Sequence, residues 1–404
     1  MSAALWSGMP MGPPDAILGL TDAYNKDPDV RKVSLGVGAY RDDEGKPVVL
    51  ETVREAERRL LAKNANHEYA GIAGIPGFVQ HALRFAYGVD SVPLKEKRIA
   101  AVQTLSGTGA CRVIGELFAR FKGRGSAIYL PNPTWGNHIP IYADAGLEVK
   151  RYRYYDAATC GLDYAAGLIE DFENAPDNSV FLLHACAHNP TGVDPTMDQW
   201  KEISALMKRK DHTAFFDCAY QGFASGDAEK DAGAIRLFVS DGHRVALGQS
   251  FAKNFGLYGE RVGALSVICV DAAEAARVES QLKLVIRPMY SNPPVYGARL
   301  VQEILGDEEL SRRWAGECRA MADRIIQMRT QLRGELERLG SGRSWRHITD
   351  QIGMFCYTGL TRDEVAALQR DAHIYFTADG RISMAGLNSG NVSYVAESIF
   401  KVTA

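Results

Sequence analysis

Several features that would place the chain in a special class are missing from its 404 residues. No apolar run approaches the roughly 18 residues that a membrane-spanning helix needs. Basic and acidic residues nearly balance, with 46 Lys and Arg against 49 Asp and Glu, and long blocks of like charge are absent. We therefore expect no nucleic-acid partner and no membrane insertion.

Cysteine is also sparse, with seven residues and no C-x-x-C spacing. An odd number of this kind predicts buried, unpaired thiols in a reducing compartment rather than a disulfide framework. The first ten residues, M-S-A-A-L-W-S-G-M-P, carry no basic residue and no long apolar stretch. We expect neither a secretory signal nor a typical transit peptide within this sequence.

What is present is an ordinary globular composition, 46% hydrophobic and 24% charged, with a length that predicts roughly two to three domains. Short apolar segments alternate with helical patterns, and several of them are apolar throughout. That pattern is typical of strands in a parallel sheet covered on both faces, so the predicted class is α/β. The predicted strands are 100–105, 126–130, 180–184, 213–216, 244–248 and 264–270.

The C-terminal part follows a different pattern. Residues 315–339 predict a long helix, and short strands predicted at 353–358, 374–377 and 381–384 precede a last helix at 392–401. Because strands and helices do not alternate strictly here, we predict a smaller α+β domain.

A lysine follows one of the apolar strands, in S-F-A-K-N-F-G-L-Y-G-E-R (Ser250 to Arg261). A buried lysine is costly unless its pKa shifts or it is used covalently, as in Schiff-base lysines. For any single lysine, an exposed position in a turn is the ordinary alternative. The surrounding motifs therefore have to decide the role of Lys253.

Two neighbouring strands end in polar residues. F-F-D-C-A-Y-Q-G places Asp217 at a strand end with Tyr220 close behind, and L-L-H-A-C-A-H-N-P-T-G leads to Asn189. The carboxylate can hold a cationic ring nitrogen and the phenol can donate to an aromatic oxygen. Taken alone, Asp217 is more often a turn or helix cap, and N-P-T-G is an ordinary turn.

L-S-G-T-G-A (Leu105 to Ala110) joins a strand to a helix and predicts a phosphate cradle, since small residues expose backbone N–H groups at a helix start. The third glycine of a dinucleotide fingerprint is missing, which favours a single phosphate. N-P-T-W-G-N-H places Trp135 for stacking on a flat ring, although a core Trp is as common. The spacing of His184, Cys186 and His188 lacks the remaining ligands of a metal shell, so no metal is predicted.

These motifs together closely resemble the pyridoxal-phosphate-dependent class I aminotransferases, over essentially the whole chain. S-F-A-K-N-F-G-L-Y-G-E-R, H-A-C-A-H-N-P-T-G, D-C-A-Y-Q-G-F-A-S-G and R-P-M-Y-S-N-P-P are near-literal copies of family motifs. The resemblance implies fold type I: a large domain with a mostly parallel seven-stranded sheet flanked by helices, and a smaller α+β domain. It implies a large cofactor-binding domain at 48–320, with an N-terminal arm and small domain at 1–47 and 321–404.

The resemblance also implies a role for each matching residue. Lys253 would bond to pyridoxal phosphate and move the proton, Asp217 would pair with the ring nitrogen, and Tyr220 and Asn189 would contact the ring hydroxyl oxygen. Trp135 would stack on the ring, and His138 would support Asp217. The phosphate would be held by Ser106, Gly107, Thr108, Ser250, Arg261 and, from a neighbouring subunit, Tyr69.

Substrate recognition would rest on two arginines. Arg381, in D-G-R-I-S-M-A-G, would clamp the α-carboxylate, and Arg287, in I-R-P-M-Y, would reach the distal carboxylate from the partner subunit. Trp135 and Asn189 would also contact the substrate, beside Gly38, Val37 and Ile17. The implied enzyme is a homodimer that moves the amino group of L-aspartate to 2-oxoglutarate and uses small dicarboxylic amino acids and 2-oxo acids.

Alternatives remain at this stage. An aromatic or broad-specificity aminotransferase could keep both arginines. A non-catalytic scaffold would be expected to lose the lysine, aspartate or arginine, and none is lost; a nicotinamide-dependent dehydrogenase would need the missing third glycine. Several stretches, including Y-R-Y-Y-D, look like those of mitochondrial members, which favours the mitochondrial matrix over the cytoplasm.

Overall fold

The strands form one large sheet and three small pairs. The computed structural model describes residues 6–12 and 18–404. Its strands are β1 (Val33–Ser34), β2 (Ile99–Leu105), β3 (Ala127–Asn132), β4 (Glu148–Arg153), β5 (Tyr155–Asp156), β6 (Gly161–Leu162), β7 (Val180–His184), β8 (Thr213–Cys218), β9 (Ala246–Ser250), β10 (Val262–Ile268), β11 (Phe355–Tyr357), β12 (Ile374–Tyr375) and β13 (Arg381–Ser383).

Helices connect these strands and cover the sheet. They are α1 (Leu18–Lys26), α2 (Glu51–Ala62), α3 (Pro76–Tyr87), α4 (Val92–Lys95), α5 (Ser106–Phe121), α6 (His138–Asp144), α7 (Glu170–Asn174), α8 (Met197–Arg209), α9 (Ala228–Asp231), α10 (Gly233–Ser240), α11 (Ala272–Met289), α12 (Tyr296–Gly306), α13 (Glu308–Arg338), α14 (His347–Asp350), α15 (Arg362–Ala372) and α16 (Val392–Thr403). Thr196 and Thr361 start α8 and α15 with capping boxes, which satisfy the free N–H groups of the first turn.

The large sheet has seven strands in the order β2-β10-β9-β8-β7-β3-β4. Every neighbouring pair is parallel except those made by β10, which runs antiparallel to both β2 and β9. The predicted mostly parallel seven-stranded sheet is therefore confirmed. Its parallel strands all point their carboxyl ends toward one edge, where α/β folds place their ligands.

Apolar side chains cover the sheet on both faces. Along β7, Phe181 and Leu183 belong to one core cluster, whereas Val180 and Leu182 belong to the other. This two-sided burial explains why the strand is apolar throughout instead of alternating.

The strand β4 was not among the six predicted from the sequence. It reads Glu-Val-Lys-Arg-Tyr-Arg, pairs with β3 alone and is mostly exposed. An edge strand can carry charged residues on both sides, so the apolar signal that reveals central strands is missing here.

The C-terminal residues form a smaller layer with the N-terminal segment. β1 pairs with β12 in parallel, with Val33 opposite Ile374, and β11 pairs with β13 antiparallel. The long helix α13 packs on α2 and α12 near its start and on α14 and α16 farther along. The strands predicted in this region are present but shorter, while the division at residue 320 stays a prediction.

All seven cysteines are free, and six of them are buried, as the sequence predicted. Within the described ranges, no helix has both the length and the apolar character needed to cross a membrane.

Candidate active site

The polar residues singled out from the sequence meet where the strands of the large sheet end. Asp217 lies near the end of β8, and Lys253 follows β9 by three residues. Ser106 opens α5 directly after β2, and Arg261 immediately precedes β10. Because β10 is antiparallel to β2, its start lies beside the end of β2, which brings Arg261 to the same edge.

A cavity of about 310 Å³ opens at this edge. That size suits a small-molecule site. Its lining includes most of the residues predicted for the cofactor and the substrate: Gly38, Ser106, Gly107, Thr108, Trp135, Asn189, Asp217, Tyr220, Ser250, Lys253, Arg261 and Arg381. Residues more than 340 positions apart in the chain therefore share one site.

Lys253 is the amine of the cavity. Its Nζ lies 5.9 Å from the centre of the Tyr220 ring. Burial lowers the pKa of Lys253, since a charged amine is poorly solvated there; the carboxylate of Asp217 opposes this effect and the charge of Arg261 adds to it. A lowered pKa makes the neutral amine, which is the nucleophilic form, easier to reach.

Asp217 is held in its ionised form by a histidine. Burial alone would raise the pKa of Asp217, but the hydrogen bond and charge of His138, together with smaller contributions from His184 and Lys253, lower it overall. The His138 Nε2 lies 3.1 Å from Asp217 Oδ2, and its Nδ1 lies 2.8 Å from Thr134 Oγ1. The structure thus places His138 in contact with Asp217, which is the arrangement that the predicted supporting role requires.

The start of α5 forms an anion cradle. Ser106 Oγ and Ser250 Oγ are 2.9 Å apart, and Ser106 N donates to Arg261 O. The first N–H groups of a helix have no partner within the helix and attract anions. Close packing against β10 depends on Gly263, where a Cβ would lie 2.4 Å from the carbonyl carbon of Ser106.

Arg381 is buried on the opposite side of the cavity. Its Nη2 donates to Gly36 O at 3.0 Å, and its Cζ lies 4.1 Å from the centre of the Phe355 ring. The Nε atom is buried without a hydrogen-bond partner among the described residues. A buried guanidinium with unused donors is suited to binding a carboxylate in a bidentate manner.

The amide of Asn189 is also incompletely satisfied, since its Oδ1 is buried and has no partner within the described part of the chain. Buried polar atoms are usually hydrogen-bonded, so this oxygen is available to accept a hydrogen bond from a molecule bound in the cavity.

Five residues that line the cavity were not predicted to contact the cofactor or the substrate: Asn137, His184, Cys186, Ala219 and Phe355. Of these, His184 and Cys186 were considered from the sequence only as metal ligands. Burial lowers the pKa of His184 to about 3, so this ring is neutral. The centres of the His184 and His138 rings lie 5.4 Å apart. The place of His184 at the end of β7, level with Asp217 on β8, is the signal that could have identified it.

Four predicted residues do not line the cavity in this chain. Tyr69 is 84% exposed, and Arg287 is exposed with its Nη1 bonded to Ser291 Oγ at 2.6 Å. Val37 lines a separate cavity beside α1, and Ile17 lies outside the described residues. The contribution of Tyr69 and Arg287 to the site of a second copy stays a prediction.

One group of residues within the described ranges has the spacing of a metal site: Cys111, His138 and Asp217. However, His138 and Asp217 already bond to each other. Burial raises the pKa of the Cys111 thiol well above its ordinary value, which keeps it from becoming a thiolate ligand. This cluster is therefore better described as a hydrogen-bonded pair beside a neutral thiol. His184 and His188, which the sequence offered as possible metal ligands, do not belong to it.

Comparison with known proteins agrees with this geometry. The mitochondrial aspartate aminotransferase of Dictyostelium discoideum is 57% identical, covering 98% of this chain and 93% of the relative, and that of Arabidopsis thaliana is 58% identical, covering 98% and 92%. The solved structure of an aromatic-amino-acid aminotransferase from Burkholderia pseudomallei, covalently bound to pyridoxal phosphate, matches with a TM-score of 0.96 and 40% identity over the full length of both chains. Residues 30–399 match the family described as aminotransferase class I and II, so the chain belongs to that family.

Proposed function

We propose that this chain is a pyridoxal-phosphate-dependent transaminase that transfers the amino group of L-aspartate to 2-oxoglutarate, giving oxaloacetate and L-glutamate. The observation that carries the proposal is the convergence of Lys253, Asp217 and Arg381 on one cavity. The high identity to relatives named aspartate aminotransferase supports the choice of substrates.

The cavity fits pyridoxal phosphate. When bound, this cofactor supplies an electron sink and the carbonyl carbon through which an amino group is exchanged. The helix start at Ser106 and the side chains of Ser250 and Arg261 match a phosphate, Asp217 matches a protonated ring nitrogen, and the unpaired amide of Asn189 matches a ring oxygen. The other residues that would surround it are Gly107, Thr108, Trp135, Tyr220 and Lys253.

Lys253 would have two tasks. Its Nζ would be the group to which the cofactor attaches, and it would also serve as the base that takes the proton from the substrate Cα. Burial lowers the pKa of Lys253, which favours the neutral form that both tasks require.

Asp217 and His138 would act together on the cofactor. The hydrogen bond from His138 keeps Asp217 ionised although burial opposes this. An ionised carboxylate in this position stabilises a proton on the ring nitrogen, and a protonated ring withdraws electrons more strongly.

Arg381 would bind the α-carboxylate common to all substrates, with Gly38, Trp135 and Asn189 beside it. We propose that the working unit is a homodimer in which Tyr69 and Arg287 of a second copy complete the phosphate and distal-carboxylate sites. The exposure of both side chains in the single chain supports this arrangement. Light scattering of the purified protein tests it, and a stable monomer with full activity would contradict it.

An aromatic or broad-specificity aminotransferase is a second candidate function. The Burkholderia pseudomallei neighbour, which is named for aromatic amino acids, matches the whole chain at 40% identity and supports this alternative.

For localisation, we propose the mitochondrion, because the relatives from Dictyostelium and Arabidopsis are named mitochondrial forms. Cell fractionation tests this proposal against the cytoplasm.

The deciding experiment follows the visible absorption of protein loaded with pyridoxal phosphate after adding aspartate or phenylalanine. Fast loss of the band with aspartate and slow loss with phenylalanine would support the dicarboxylate enzyme. Equal rates would favour the second candidate, and the absence of a cofactor band would overturn the catalytic proposal.

A further inference from the structure

A buried arginine outside the cavity makes all of its hydrogen bonds to one short segment. Arg329, in the middle of α13, is 2% exposed. Its Nη1 donates to Ile348 O at 2.9 Å, and its Nη2 donates to Gly353 O at 2.8 Å and Phe355 O at 2.5 Å. Among the described residues, no carboxylate forms an ion pair with this guanidinium.

Burying a charge is unfavourable unless hydrogen bonds or an opposite charge compensate it. Burial lowers the pKa of Arg329, but an arginine still stays charged because its ordinary pKa is so high. The three carbonyl contacts are therefore the compensation, and they bind the backbone of residues 348–355 to α13. Loss of these contacts would release that segment.

The segment 348–355 includes Phe355, whose ring contacts Arg381. The Phe355 ring lies 4.1 Å from Arg381 Cζ, and it lies so close to Gly38 that a Cβ there would be 2.7 Å from Phe355 Cζ. Phe355 also begins β11, which pairs with β13 so that Tyr357 lies opposite Arg381. A shift of the Phe355 backbone would thus move both the ring under Arg381 and the strand beside it.

The guanidinium of Arg381 makes few hydrogen bonds to the described residues. Its one hydrogen bond to the protein from a terminal nitrogen goes to Gly36 O, and its Nε is unpaired within the described part of the chain. The face of the Phe355 ring, 4.1 Å from Cζ, is therefore one of the contacts that set its orientation. Bidentate carboxylate binding demands a fixed guanidinium plane, so this dependence bears on substrate affinity.

We propose that Arg329 is a positioning residue for recognition of the substrate α-carboxylate, acting through the backbone of β11 and the Phe355 ring on Arg381. The inference rests on the proposed function in that Arg381 binds this carboxylate. Because every substrate carries the α-carboxylate, Arg329 should affect aspartate and phenylalanine to the same extent.

The test compares Arg329→Lys with the matched control Arg333→Lys. Arg333 lies one turn farther along α13 and bonds to Thr349 Oγ1 at 2.8 Å, but it makes no hydrogen bond to Gly353 or Phe355. A lysine at 329 has a single nitrogen and cannot reproduce the three carbonyl contacts. If Arg329→Lys is insoluble, Arg329→Gln replaces it in every measurement.

We expect KM to rise about 10- to 100-fold for both amino acids in Arg329→Lys, because weakening a hydrogen bond to a charged group lowers affinity by about this factor. We expect kcat, the aspartate-to-phenylalanine ratio and the cofactor absorption to stay near wild type. Arg333→Lys should leave all of these values unchanged. A KM for Arg329→Lys equal to that of the control would overturn the proposal.

The route through Phe355 is tested with Phe355→Leu and the double variant. If Arg329 acts through the ring, the effect of Arg329→Lys on KM is largely lost in the Phe355→Leu background. Fully independent effects would contradict that route.

Amide hydrogen exchange separates this inference from the proposed function. Residues 352–357 should exchange faster in Arg329→Lys than in wild type or Arg333→Lys, whatever reaction the protein catalyses. Unchanged exchange would overturn the role of Arg329. A wild-type protein with no aspartate turnover would instead overturn the proposed function and leave the exchange result to decide on Arg329.

Discussion

The residues that would hold the cofactor and those that would hold the substrate are positioned in different ways. Ser106, Asp217 and Ser250 lie at or next to the ends of β2, β8 and β9, so the hydrogen bonds of one sheet determine their spacing. Arg381 instead depends on Gly36 and Phe355, which come from two distant segments. The sheet therefore determines the positions of the first set, whereas the position of Arg381 depends on how the smaller layer packs against the sheet.

The largest expected effect is on catalysis and comes from a residue that the large sheet positions. Replacing Lys253 with alanine removes both the attachment point and the base, so we expect kcat to fall by more than about 10⁴-fold. Initial-rate assays with aspartate and 2-oxoglutarate measure this loss. The control is Lys230→Ala, an exposed lysine on α9, which should keep full activity. A substantial rate in the Lys253→Ala protein would contradict the proposed role of this lysine as attachment point and base.

Arg287→Ala should have the next largest effect. Aspartate turnover should fall by at least about 100-fold, because the distal carboxylate would be buried without its partner. Phenylalanine turnover should fall much less, and the ratio of the two kcat/KM values is the measurement. Lys283→Ala, one turn earlier on α11, is the control. Since Arg287 is exposed in the single chain, an unchanged preference would show that no second copy brings it to a site.

A smaller effect is expected from His138→Phe. Without the histidine hydrogen bond, burial dominates and the pKa of Asp217 rises. Asp217 must be ionised to act, and its lowered pKa keeps it ionised down to acidic pH in the wild type. The acidic limb of the kcat/KM profile should therefore move to higher pH. Thr134→Ala, which removes only the contact to His138 Nδ1, should move it less. A profile unaffected by His138→Phe would contradict the supporting role.

The smallest expected effects are on the stability of the two regions. Thr196 and Thr361 form matching capping boxes on α8 and α15, and replacing either with alanine should lower stability by about 1 kcal/mol. If the proposed large domain (48–320) and the proposed smaller part (1–47 with 321–404) unfold separately, Thr361→Ala should shift only the transition of the smaller part, and Thr196→Ala only that of the larger. Calorimetry measures both. A single shared transition in both variants would argue against the division.

Much of the sheet was predictable because its signals are local, whereas most of the site residues were predicted from the resemblance to a family. The strand β7 was predicted with its observed bounds, since an apolar run between turn signals identifies a central strand. The strand β4 was missed because an exposed edge needs no such run. Phe355 was missed since one aromatic residue in a short strand looks like any core residue.

Arg329 could have been noticed from its spacing. It lies on the same helical face as Ile325, Leu332 and Leu336, all of which are buried. A lone arginine in an apolar stripe indicates a buried charge that must be compensated. Nothing in the stripe, however, indicates that the compensating groups are backbone carbonyls of residues 348–355.

The amino-acid sequence by itself determined the strand and helix pattern, the apolar faces and the identity of the chemical groups, because these depend on side-chain type and on spacing along the chain. Tertiary structure alone decided which groups share a cavity, which polar atoms are left unpaired and which pKa values shift. These properties depend on burial and on contacts between residues hundreds of positions apart, such as Arg381 and Gly36. Local sequence cannot specify such contacts, since they form only when the smaller layer packs against the sheet.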